Sequence, residues 1–164
     1  MIKSKFRFWA LFPFCASLFL LVILIFSAIK FYGKINSDNI FPMLLVFIFF
    51  VLILIWLIWG ELRTKAVKVS IDMDRLSYSN FLGLGNLRVL RFSEIDGFKI
   101  ANLPSEYQDY EYLYVMVNKY KVIKLSEFYH KNYKELKAMI SSKSKCLGEE
   151  KFSYVQEFKE IFSK

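Results

Sequence analysis

Two uncharged apolar runs dominate the first third of this chain and constrain it more than anything else. Phe8–Ile29 holds 22 residues and Phe41–Trp59 holds 19, with no Asp, Glu, Lys or Arg in either. As helices rising about 1.5 Å per residue they would measure roughly 33 and 28 Å, close to a hydrocarbon core of about 30 Å. Lipid offers no partner to free backbone N–H and C=O groups, so such segments have to be helical. A core helix would carry polar residues at the helical period, and neither run does. Residues 1–60 therefore read as a transmembrane hairpin with helices at about 8–29 and 41–59, and the chain as an integral membrane protein.

The first run has the positive flank of a signal peptide (Lys3, Lys5, Arg7), but it exceeds a typical apolar signal segment. Phe26-Ser27-Ala28 also sets a bulky residue where cleavage wants a small one. Pro13 and Pro42 both fall near the starts of their helices, where a missing donor costs little. Basic residues set the orientation. Lys3, Lys5 and Arg7 precede the first run and Arg63, Lys65 and Lys68 follow the second, against Lys30 and Lys34 in the connecting loop. The positive-inside rule then puts both termini in the cytoplasm, with the bacterial cytoplasmic membrane as the expected location. Trp9, Trp56 and Trp59 fall at the cytoplasmic ends of the runs, where indole rings favour the headgroup level.

The net charge of +8 divides evenly between residues 1–60 and the rest, and the early basic residues simply flank apolar runs. No basic cluster or nucleic-acid motif accompanies it, so nucleic acid is not an expected partner. Cys15 lies within the first run and Cys146 far along the soluble part, which excludes an intrachain bridge if the first run spans the membrane. Neither cysteine has metal-site spacing, and no cofactor motif is present.

From Ala66 the period becomes two. Val67, Val69 and Ile71 alternate with Lys68 and Ser70, then Asp72-Met73-Asp74-Arg75 turns the chain and Leu76–Leu82 alternates again. Gly83-Leu84-Gly85-Asn86 suits a second hairpin connection. Leu87–Phe92, Ile95–Asn102, Glu111–Asn118 and Tyr120–Leu125 bring the expected strands to six. The period then becomes helical. Asn132 and Glu135 form a cap pair, and Tyr133, Leu136, Met139 and Ile140 an apolar stripe. The fold class is α+β, a transmembrane hairpin followed by a small β-sandwich or barrel capped by a helix. Residues 61–65 read as a juxtamembrane linker, 66–142 as the domain and 143–164 as an amphipathic tail helix.

The stretch Val67–Ser141 resembles the bacterial pleckstrin-homology-like (PH-like) domains that follow a two-helix membrane anchor. The resemblance lies in Val69-Ser70-Ile71-Asp72, Leu76-Ser77-Tyr78-Ser79-Asn80, the step Phe92-Ser93-Glu94-Ile95, and Ile123-Lys124-Leu125-Ser126 through Asn132-Tyr133-Lys134-Glu135-Leu136. It implies a seven-stranded sandwich or barrel closed by a helix and almost nothing about biochemistry. Members that bind phosphoinositides place several Lys and Arg at the first hairpin turn. Here that turn is Asp72-Met73-Asp74-Arg75, two acids against one base, which argues against specific phosphoinositide binding.

Residues with chemical potential are few. His130 is the lone histidine, and beside a helix start the expectation is a solvated or capping ring rather than a base served by Glu127 or Asp109. Gly83-Leu84-Gly85 is too short to cradle a phosphate. Cys15, Ser17 and Ser27 are the only polar side chains in the apolar runs, so they read as an anchor and not a solute path. Tyr110, Tyr112, Tyr114 and Met116 share one face of a strand whose other face carries Leu113, Val115 and Val117. If the aliphatic face builds the core, the aromatic face is a partner surface or lies under another element of the chain. The tail, Glu149–Phe162, puts Phe152, Tyr154, Val155, Phe158, Ile161 and Phe162 on one side and Ser153, Gln156, Glu157 and Glu160 on the other. Its polar side is acidic, which favours docking through Phe152, Val155, Phe158 and Phe162 over lying on lipid.

The functional expectation is a membrane-anchored binding or scaffolding module at the cytoplasmic face, not an enzyme, with a protein partner or self-association. The alternative is an accessory subunit that joins a larger membrane complex through its hairpin.

Overall fold

In a computed structural model of the chain, residues 1–31, 40–104, 109–153, 155 and 157–159 are described. A one-turn 3-10 segment, Phe8–Leu11, leads into α1, Phe12–Phe31, and α2 covers Ile40–Ile55. The backbone of α2 continues as a π-helical stretch, Trp56–Leu62, whose wider turns carry Arg63 N–H back to Ile58 O at 3.0 Å. Phe8–Lys30 and Phe41–Leu62 are long and apolar enough to cross a membrane, and large side chains such as Phe19, Phe26 and Phe49 stand exposed along them. Ser17 gives its hydroxyl to Phe14 O at 2.8 Å, so this polar group is satisfied by its own helix.

Six strands appear where the alternation predicts them. They are β2, Lys68–Ile71; β3, Arg75–Ser79; β4, Arg88–Arg91; β5, Gly97–Leu103; β6, Tyr110–Val117; and β7, Tyr120–Ser126. Asn118 and Lys119 both have positive φ, the two-residue primed turn whose twist matches a tight hairpin between β6 and β7. α3 spans Tyr133–Ser141 and buries Tyr133, Leu136 and Ile140. The core lies between the sheets and under α3, where Val69, Ile71, Leu76, Leu113, Val115, Ile123, Leu125, Leu136 and Ile140 meet.

Two further strands complete the sheets, and sequence periodicity did not single out either one. Before the first apolar helix, β1, Ile2–Lys3, pairs antiparallel with β2, so that the first sheet has the order β1-β2-β3-β4. After α3, β8, Cys146–Glu149, pairs parallel with the edge of β5 and the second sheet has the order β7-β6-β5-β8. The tail is therefore not a helix throughout 143–164. It is a strand over Cys146–Glu149, without regular secondary structure over 150–153, and helical at Val155 and 157–159. An open β5 edge with unpaired backbone groups outweighs local preference here. Gly97 makes the approach possible, because a Cβ on it would lie 2.3 Å from Lys145 O, and Phe98 N–H bonds that oxygen at 2.9 Å.

The boundaries of the domain shift accordingly. Residues 1–7 pack with it rather than standing apart with the apolar helices. Ser4 N–H donates to Val69 O at 2.7 Å, while Val69 N–H donates to Ser4 Oγ at 2.8 Å. Lys131 N–H donates to Lys5 O at 2.7 Å and Arg7 N–H to Tyr129 O at 2.8 Å. Asn132 does not cap α3 with its side chain. Its Oδ1 accepts Lys5 N–H at 2.8 Å and its Nδ2 donates to Lys3 O at 3.0 Å, as a peptide group in a third strand would. The supposed linker 61–65 is likewise tied in, with Glu61 and Lys65 mostly covered. Both ends of the helix pair are thus clamped to the same domain.

Candidate functional site

The aliphatic side of β6 faces the main core, and the aromatic side forms a second, smaller one. Tyr112, Tyr114 and Met116 are buried there with Ala101, and Phe152 of the tail packs on them, its ring 6.1 Å from that of Tyr112. Tyr110, at the strand's start, is half-buried and meets Phe128 edge-on at 5.1 Å. So three of the four residues proposed as a partner surface lie beneath this chain's own tail. Of the tail's own docking residues, Phe152 sits on the tyrosines and Phe158 reaches the other way, its ring stacked 6.3 Å from Trp56 at the end of α2. Val155 is exposed, and Phe162 lies outside the described residues.

Charges join this aromatic cover to the C-terminal end of the second apolar helix. Tyr129 gives its hydroxyl hydrogen to Glu61, whose other carboxylate oxygen lies 2.8 Å from Lys65 Nζ. Lys65 is 3.6 Å from Glu157, and Glu157 pairs directly with Lys124. Lys124 Nζ stands 4.4 Å above the Tyr112 ring, and Lys121 Nζ 4.2 Å above that of Tyr114, cation–π contacts worth more when desolvated. Nearer β8, Glu150 sits 2.6 Å from Lys121 and 3.6 Å from Lys99. Of the tail's polar side, Glu157 is thus engaged by Lys65 and Lys124, while Gln156 and Glu160 lie outside the described residues.

The titration shifts follow from this packing. Burial penalises the Lys65 ammonium, yet the fields of Tyr112, Glu61 and Glu157 outweigh it and hold the group above the usual lysine range. Burial pushes the Tyr112 hydroxyl up to about 12, with nearby Lys65 opposing. Burial also works against ionised Glu150, but the hydrogen bond and charge of Lys121, helped by Lys99, hold its carboxyl below the usual range.

Beside this face opens a cleft of about 520 Å³. It lies between the residues just past α2 (Arg63, Thr64, Val67), the first sheet (Tyr78, Asn80, Arg88) and the β5-β6-β7 surface. Among the described residues its lining carries seven basic side chains and one acid, Glu150. Arg88 and Lys119 stand exposed, Lys99 and Lys121 are half-buried, and Lys124 is buried. Lys119, Lys121 and Lys124 are neighbours along the chain, but Arg63, Arg88, Lys99 and Lys159 join them only through the fold, and no local charge pattern marks the site as a whole.

His130, expected in solvent or as a cap, is instead fully buried. Its Nε2 lies 2.8 Å from Val67 O, its Nδ1 2.9 Å from Ser126 O and 3.3 Å from Ser126 N, and Phe6 packs on its ring at 5.2 Å. The neutral tautomer with hydrogen on Nε2 donates to Val67 and accepts from the Ser126 N–H. Burial lowers its pKa, with both backbone contacts opposing. The ring ties the N-terminal strand, the chain after α2 and the end of β7 together, and its described hydrogen bonds involve neither Asp109 nor Glu127.

Deleting residues 149–164 should expose Tyr112, Tyr114 and Met116 together with the lysines paired to Glu150 and Glu157. We expect a loss of at least about 1.5–3 kcal/mol, the worth of one buried phenylalanine, or self-association through the bared aromatic face. Melting and light scattering of the truncated protein measure both, and an unaltered melt without association would show that the tail covers nothing of consequence. No family model, no curated protein and no solved structure matches this chain.

Proposed function

We propose that this protein is a membrane-anchored binding module of PH-like fold, held at the cytoplasmic face by its helix pair. The observation that carries the reading is the double clamp. The chain enters the first apolar helix from a strand of the domain and leaves the second through Glu61, Lys65 and Trp56, which bond or pack against Tyr129, Glu157 and Phe158. A domain on a loose linker would sample many orientations; one held at both ends presents a fixed face to the bilayer. The PH-like assignment draws on the order of β2 to β7 followed by α3, which closes one end of the two sheets. Binding rather than catalysis is supported by His130, whose ring nitrogens are engaged by backbone groups in the core. A protein partner or a second copy would meet the exposed faces of the helices or the domain surface.

Cysteine labelling tests the topology. With Cys15 and Cys146 first replaced by Ser, a membrane-impermeant maleimide applied from outside should label a cysteine placed at Ser37 and spare one placed at Ser163. The reverse pattern would place the domain outside and end this reading.

A further inference from the structure

We propose that the basic cleft beside the end of α2 binds a phosphate-bearing anion, supplied either by an acidic lipid headgroup or by a soluble phosphate compound. Three observations converge on that chemistry. The first is charge. Arg63, Arg88, Lys99, Lys119, Lys121 and Lys124 converge on one cavity from four different parts of the chain, and Lys159 of the tail joins them. A single carboxylate, that of Glu150, lines the cavity with them. A phosphate monoester brings a charge of about −1.5 to −2 with three acceptor oxygens, which suits such a surplus better than a monocarboxylate does.

The second is that the chain already seats anionic oxygens on these lysines. Glu150 lies 2.6 Å from Lys121 and 3.6 Å from Lys99, and Glu157 pairs with Lys124. Those three lysines are already engaged by the tail's carboxylates, so the exposed Arg88, Lys119 and Lys159 supply the charge that a bound anion would meet. Tyr78, Asn80 and Thr64 add neutral polar groups to the lining. The third is size and place. About 520 Å³ falls within the range of small-ligand cavities. Arg63 and Thr64 directly follow the π-helical end of α2, so the cleft opens next to the segment that leaves the apolar helix. The acidic first turn, Asp72-Met73-Asp74-Arg75, contributes nothing to the lining, so this site is separate from that turn.

The inference deepens the binding-module reading and depends on it for the cytoplasmic placement of the cleft. The test uses the full chain in dodecyl maltoside. Native mass spectrometry counts retained phosphatidylglycerol against phosphatidylcholine, and calorimetric titration with inorganic pyrophosphate reads the soluble source. The comparison protein carries Arg88→Glu and Lys119→Glu, two exposed side chains, with its melt checked against the parent; Arg75→Glu, away from the cleft, controls for a charge reversal elsewhere on the surface. Preferential retention of phosphatidylglycerol, reduced at least tenfold in the double variant and unchanged by Arg75→Glu, supports the site with a lipid source. Pyrophosphate binding with the same variant pattern supports it with a soluble source. Binding of neither probe, or equal losses in the double variant and the Arg75 control, overturns it. Failure here with Ser37 and Ser163 labelling as expected removes the ligand and leaves the anchored module standing.

Discussion

Replacing Leu136 with Ala should destabilise the domain by about 2–5 kcal/mol, the range for emptying a fully enclosed leucine site. Leu136 is completely buried in the main core, on the face of α3 that meets both sheets, together with Tyr133 and Ile140. Because the surrounding strands are hydrogen-bonded along their length, they have little freedom to collapse into the space, which favours the upper part of the range. The measurement is urea unfolding of a soluble form in which residues 1–7 are joined to Thr64 and beyond by a Gly/Ser linker. Domains of this size are stable by only about 5–15 kcal/mol, so the variant should melt far earlier or fail to fold at room temperature. A loss under about 1 kcal/mol would mean that α3 does not close the core.

Removing residues 1–7 from that same soluble form should be nearly as damaging, by at least about 2 kcal/mol, and should make the protein associate. Val69 N–H loses Ser4 Oγ, the Asn132 amide loses both Lys3 O and Lys5 N–H, and His130 loses the cover of Phe6. A buried polar group stripped of its partner costs about 1–3 kcal/mol where water cannot replace it. The deletion also turns β2 into an open edge, the usual template for strand addition between copies. A synthetic peptide of residues 1–7 should restore part of the melt when added at high concentration. Equal stability with and without these residues would show that β1 is decoration.

This result matters for how the apolar helices are held. With β1 in the sheet, the first helix cannot swing away from the domain without breaking hydrogen bonds to β2, Tyr129, Lys131 and Asn132. At the other end, Glu61 and Lys65 are held by Tyr129 and Glu157 in a chain of charges with little solvent around it. Buried ion pairs contribute little net stability against an apolar alternative, but losing one member is costly. Such a chain therefore sets position more than it adds strength, and here it sets the position of the helices, the tail and the basic cleft relative to one another.

What the sequence by itself determined is whatever depends on neighbours a few residues apart. Twenty uncharged apolar residues leave a chain no choice but helix where water is absent, and α1 and α2 lie where those runs lie. Alternation at period two placed β2 to β7, and the stripe Tyr133, Leu136, Ile140 placed α3, because burial of one face is a local pattern. The tertiary structure alone decided the rest. Ile2, Ser4 and Phe6 do alternate with Lys3 and Lys5, but that signal is five residues long and sits inside a basic flank whose charges have a sufficient explanation of their own. Its partners, Val69 and Asn132, are 65 and 127 positions away. β8 exists because β5 leaves an edge and Gly97 leaves room, neither of which is visible in Cys146–Glu149. The tyrosines of β6 were legible as one face, yet only the path of the tail decides that Phe152 covers them. The basic cleft is the extreme case. Lys119, Lys121 and Lys124 are neighbours on the β6–β7 hairpin, but its other four cations come from the end of α2, β4, β5 and the tail, and the summed potential exists only once the fold brings them together.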